Sequence, residues 1–88
     1  MQPLRATLTD DSGQAIAEIQ GSIQSPDESQ GPRRGEFEIE ENGEFMQGVL
    51  EEKAFRLDLN EGSPLAIHVD SVSAGTRPGY SKAEFSCT

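Results

Sequence analysis

Residues 36–61 read EFEIEENGEFMQGVLEEKAFRLDLNE, and the spacing of apolar side chains in this stretch decides the fold class. Apolar and polar residues alternate through it with period two, as in strands that bury one face and wet the other. The stretch also holds nine of the sixteen acidic residues against only Lys53 and Arg56, and so carries -7 of the net charge of -9. An acidic, antiparallel β-domain follows.

Working outward, the whole chain of 88 residues suffices for one domain, 1–88, with a thin core. Leu, Ile, Val and Phe make up 18 of the 88 residues, on the border where highly charged chains fail to fold. The alternation settles that in favour of folding, because a disordered acidic segment has no reason to keep apolar residues on one side. A charge of -9 opposes binding to nucleic acid and favours a basic protein surface as partner. The single cysteine, Cys87, excludes an internal disulfide. No run is long and apolar enough for a membrane helix, and the N-terminus lacks the apolar segment of a signal peptide. Cytoplasmic residence with no membrane partner is the expectation, unless a leader has been removed.

Turn signals at Asp10-Asp11-Ser12-Gly13, Asn42-Gly43, Glu61-Gly62-Ser63-Pro64 and Pro78-Gly79 divide the chain. They leave seven expected strands, over 3–9, 14–24, 35–41, 44–51, 54–60, 65–72 and 82–88. The expected fold is all-β, a single small antiparallel domain whose meander curls into a small barrel, with a two-layer sandwich as the alternative. Asn42-Gly43 fits a two-residue hairpin turn. That register places Phe37, Ile39, Met46, Leu50, Phe55, Leu57, Leu59, Leu65, Ile67 and Phe85 inside, and leaves Phe45 and Val49 on the wet face. A four-residue turn at 10–13 pairs Leu8 with Ala15 and sets Arg5 opposite Glu18. The polar loops 25–34 and 73–81 are expected to be mobile.

No catalytic, cofactor or metal site is expected. His68 is the only histidine and shares a polar face with Asp70; Arg56 is its expected lateral neighbour. A histidine beside a carboxylate can serve as general base, but no activated nucleophile accompanies it, and a charge ladder is the plainer role. One Cys and one His cannot assemble a structural zinc site, and the Asp10–Gly13 run lacks the spacing of a calcium loop. Glu36, Glu38 and Glu40 point to one face as an acidic stripe, sharing it with Phe45 and Val49; a polar-rimmed apolar spot is what a contact site looks like. A solvated face that resists edge-to-edge aggregation is the competing role. Arg33 and Arg34, flanked by Gly31-Pro32 and Gly35, can grip an anion or simply offset the acidic surround.

The leading expectation is therefore a non-enzymatic protein-interaction module using these residues. The alternatives are an assembly subunit that forms a homo-oligomer through an edge strand such as 82–88, and an acidic inhibitor that imitates nucleic acid.

Overall fold

A computed structural model describes residues 2–25, 27, 31–59 and 64–88. Among these residues, six strands and one helix follow in the order β1 (Gln2–Thr9), β2 (Ala15–Ile23), β3 (Arg34–Glu40), α1 (Gly43–Leu50), β4 (Phe55–Asp58), β5 (Leu65–Ala74) and β6 (Tyr80–Cys87). The strands close into an antiparallel barrel in the order β1-β2-β3-β6-β5-β4. Two three-stranded meanders are thus joined edge to edge, β3 against β6 and β1 against β4. The six strands lie within one or two residues of six of the expected ones. Most of the expected turn at 61–64 and part of the expected mobile loop at 25–34 lie outside the described residues. The other expected loop, 73–81, is shorter: Ser73 and Ala74 belong to β5, and Tyr80 and Ser81 to β6.

The remaining expected strand, 44–51, is a helix. Asn42 adopts an extended conformation and its side chain accepts a hydrogen bond from the Phe45 amide at 3.0 Å, which makes it an N-cap rather than a hairpin turn residue. The other end closes with two bonds, from the Lys53 amide to the Gly48 carbonyl and from the Glu52 amide to the Val49 carbonyl, with Glu52 at φ 56°. That is the Schellman pattern, here with glutamate where glycine is usual. The helix inverts the expected burial. Phe45 is fully buried and Val49 packs against the core, whereas Met46 is 36% exposed and Leu50 80%. Helical spacing turns Phe45 and Gly48 to one side and Met46 and Leu50 to the other, where strand spacing had grouped Met46 with Leu50 facing inward.

The core explains why the helix is needed. Phe85 and Phe37 face each other at 5.8 Å, Phe37 meets Phe45 edge-on at 5.8 Å, and Phe45 meets Phe55 at 5.4 Å. Phe45 therefore links the first meander to the second from above the barrel. Gly48 lets the helix sit directly on the Phe55 ring, since a β-carbon there would come within 2.7 Å of it. Around this chain pack Leu4, Ala6, Leu8, Ile19, Ile23, Ile39, Leu57, Ile67, Val69 and Ala83, while Leu59 and Leu65 are only partly buried.

The β1–β2 register also differs from expectation. A bulge at Ile16 makes Leu8 pair with Ala17 and Ala6 with Ile19, so Arg5 faces Gln20 and Thr7 faces Glu18. From Leu4 to Leu8 the offset is two residues, and an even offset leaves those side chains on their expected face, whereas beyond the bulge Ala15 pairs with Thr9 and is exposed. The expected Arg5–Glu18 pairing is not made.

Candidate functional site

Three strands carry most of the polar residues singled out in the sequence. Across β3, β6 and β5 one outer row reads Arg34, Ser86, His68, and the next Glu36, Glu84, Ser71. A second bulge between Val69 and Ser71 turns Asp70 into the first row. There Ser86 Oγ donates to Asp70 Oδ2, and His68 Nδ1 lies 3.1 Å from Asp70 Oδ1. These two contacts, Ser86 first, hold the Asp70 carboxyl below the usual carboxylate range. In a nucleophilic triad the imidazole stands between hydroxyl and carboxylate. Here the carboxylate stands between the other two, so the imidazole cannot take the Ser86 proton. Arg56, the expected neighbour of His68, pairs with Ala66 instead.

The acidic stripe lies on the outer face of β3, but its members differ. Glu36 is paired with Lys82 at 3.0 Å. Glu38 accepts from the Thr76 amide at 2.6 Å and its hydroxyl at 2.7 Å, with Arg77 Nε at 3.9 Å. The amide contact leads in lowering the Glu38 pKa. Glu40 is exposed and has no ion pair or side-chain hydrogen bond among the described residues. The apolar members expected beside it are absent from this face: Phe45 is in the core and Val49 is packed against it. The arginine pair is also divided, because Arg34 begins β3 while Arg33 Nε donates to the Gln24 carbonyl at 2.8 Å, tying it to the end of β2. The Asp10 carboxylate accepts from the Ser12 hydroxyl and the amides of Ser12 and Gln14, so it organises its own turn. No group of three or more His, Cys, Asp or Glu side chains able to hold a metal ion occurs among the described residues.

What the sequence did not reveal is a seam between β2 and β3. Their ladder runs only from Ile23↔Gly35 to Gln20↔Glu38. At its lower end the strands are pressed together: a β-carbon on Gly21 would lie 1.9 Å from the Glu36 carbonyl oxygen. Above Gln20 they part, leaving a cleft of about 730 Å³. One wall carries Arg5, Thr7, Glu18 and Gln20 from β1 and β2; the other carries Glu38 and Glu40 from β3; Ala6, Ala17 and Ile19 lie beneath. The β5–β6 turn folds over the β3 side, held by the Thr76–Glu38 contacts and by a bond from the Glu41 amide to the Gly79 carbonyl. It brings Arg77, stacked 3.9 Å above the Tyr80 ring, to the mouth.

A shallower depression of about 480 Å³ covers the Arg34–Ser86–Asp70 row. Among the described residues no helix is long and apolar enough to cross a membrane. Compared with protein-family models, curated proteins and solved structures, the chain matches none, so its functional reading rests on its own geometry.

Proposed function

We propose that the protein is a non-enzymatic interaction module whose binding surface is the β2–β3 cleft. The observation that carries this reading is the interrupted ladder: β2 and β3 part beyond Gln20↔Glu38, above apolar residues and beside the charged side chains of Arg5, Glu18 and Glu40. Concave sites with a few convergent polar groups are where ligands bind. The net charge of -9 adds long-range attraction for a basic partner. The single free cysteine fits a reducing compartment such as the cytoplasm. Imitation of nucleic acid is less favoured, because two of the three stripe glutamates, Glu36 and Glu38, already have cationic neighbours.

Selection of peptides from a random library on the immobilised protein, followed by amide chemical-shift mapping, tests the reading. Shifts concentrated at Glu18, Gln20, Glu40, Arg77 and Tyr80 support it. Binders that map only to other surfaces refute it.

Self-assembly is the second reading, and one observation favours it. Met46 and Leu50 stand one turn apart on the outer side of α1, with Leu50 80% exposed. Strand 82–88 offers no free edge for such association, since β6 is paired on both sides. Sedimentation over a concentration series, with Leu50→Lys as control, decides whether the helix face associates.

A further inference from the structure

We infer that the cleft takes an extended peptide as an added strand on the free edge of β2, with one Lys or Arg side chain seated between Glu18 and Glu40; this rests on the reading of the cleft as the binding surface.

The backbone supplies the first half of the argument. Along β3 the Glu41 amide bonds the Gly79 carbonyl on the β6 side, while the Arg34 carbonyl accepts from Gln24 on the β2 side. Peptide groups alternate along a strand, so those of Glu36, Glu38 and Glu40 turn toward β2. Across the ladder, Ser22 and Gln20 turn toward β3, and by the same alternation Glu18 does too. The next pair in register would be Glu18↔Glu40, and it is not formed. Both residues therefore direct an N–H and a C=O into the gap. A row of unpaired strand groups is a template for another strand.

The side chains supply the second half. Had the ladder continued, Glu18 and Glu40 would be lateral neighbours on the outer face, and like charges directly opposite destabilise a pair. The seam opens at the place where closure would join two carboxylates. A cation inserted there relieves that repulsion and is met from both sides. Arg5 lines the same cleft and opposes a second cation, so recognition selects a single basic residue within a neutral extended segment rather than a polybasic run.

The probe is a short Thr/Val peptide with one central lysine, and its control carries glutamate at that position. Hydrogen exchange and amide shifts are read on the intact protein. The lysine peptide is expected to shift cleft resonances and slow exchange of the Glu18 amide by roughly tenfold or more, as a new backbone hydrogen bond would. The glutamate peptide should do neither. Two variants extend the test. Glu40→Gln should keep the fold and lose the preference for lysine. Glu40→Lys should close the seam against Glu18, protect both amides without peptide and abolish binding. Cleft shifts with an unprotected Glu18 amide would overturn strand addition while leaving the cleft as binding surface. Equal binding of both peptides would overturn the charge assignment, and failure of the lysine peptide to perturb the cleft would overturn the inference.

Discussion

At the scale of single residues, Phe45 and Leu50 show how differently two apolar side chains of one short helix can matter. Phe45 touches the rings of both Phe37 and Phe55 and is fully buried, whereas Leu50 faces solvent. Phe45→Ala removes the ring that packs against both Phe37 and Phe55 and should cost about 3–5 kcal/mol. A domain of this size has a total stability on the order of 5–10 kcal/mol, so the variant should be close to unfolding at room temperature. Leu50→Ala should stay within about 0.5 kcal/mol of the parent. Urea titrations of both variants check this; equal losses would contradict the packing. Glu38 makes a second residue-scale case. Its carboxylate is the acceptor that holds Thr76, and its pKa is lowered by that contact. A group whose folded pKa is depressed adds stability above its unfolded pKa and loses it as pH falls through the folded one. The Thr76 amide resonance should therefore move with a midpoint below the ordinary glutamate value, and the β5–β6 turn should loosen only in that acid range. A midpoint at or above the ordinary value would rule out the contact.

At the scale of elements, all six strands are legible because strict alternation over four or more residues suits a half-buried strand and little else. The helix is not. Gly43–Leu50 makes only about two turns, too short for a 3.6-residue period to declare itself, and Asn42-Gly43 suits an N-cap as well as a hairpin. Phe45 and Val49 at i and i+4 were the available signal, and strand spacing places the same two residues together on one face. The seam was illegible for another reason. Glu18 and Glu40 are far apart in sequence, and that they flank one cleft depends on the β2–β3 register, which nothing local fixes. The helix end also yields a prediction. Glu52 occupies the left-handed position of the Schellman turn at φ 56°, beside Glu51, at the negative end of the helix dipole. A left-handed non-glycine residue costs about 1–2 kcal/mol, against about 0.5–1 kcal/mol for the freedom that glycine adds to the unfolded chain. Losing a carboxylate at a helix C-terminus is itself mildly favourable. Glu52→Gly should thus stabilise the domain by about 0.5–1 kcal/mol, seen as a higher urea midpoint at unchanged slope. Destabilisation would mean that the αL cap is not formed.

At the scale of the whole molecule, the connectivity is symmetric where the sequence is not. Exchanging β1, β2, β3 with β4, β5, β6 leaves the strand order of the barrel unchanged, with α1 as the crossover between the halves. The halves differ in how fully they pair: β3 and β6 match from Arg34↔Ser86 to Glu40↔Tyr80, while β1 and β4 match only from Thr7↔Asp58 to Thr9↔Arg56. Over this uneven frame lies a charge of -9, shared between the strands, the helix and the segments that connect them. Two electrostatic effects then oppose each other as salt is added. Screening weakens the pairs Glu36–Lys82, Glu51–Lys53 and Glu38–Arg77, but these are exposed and such pairs contribute little. It also weakens the mutual repulsion of the uncompensated carboxylates, which acts over the whole surface when the Debye length is about 30 Å and hardly at all when it is a few Å. The repulsion should dominate. Raising sodium chloride from about 10 mM to about 0.5 M should therefore raise the melting temperature by about 4–8 °C, equivalent to roughly 1 kcal/mol for a domain of this size. Glu40→Lys should raise the low-salt melting temperature and flatten this dependence, because it removes a like-charged neighbour of Glu18 and lowers the net charge together. Thermal melts of both proteins across the salt series give the reading. A melting temperature that falls with salt in the parent would show that the surface ion pairs outweigh the repulsion.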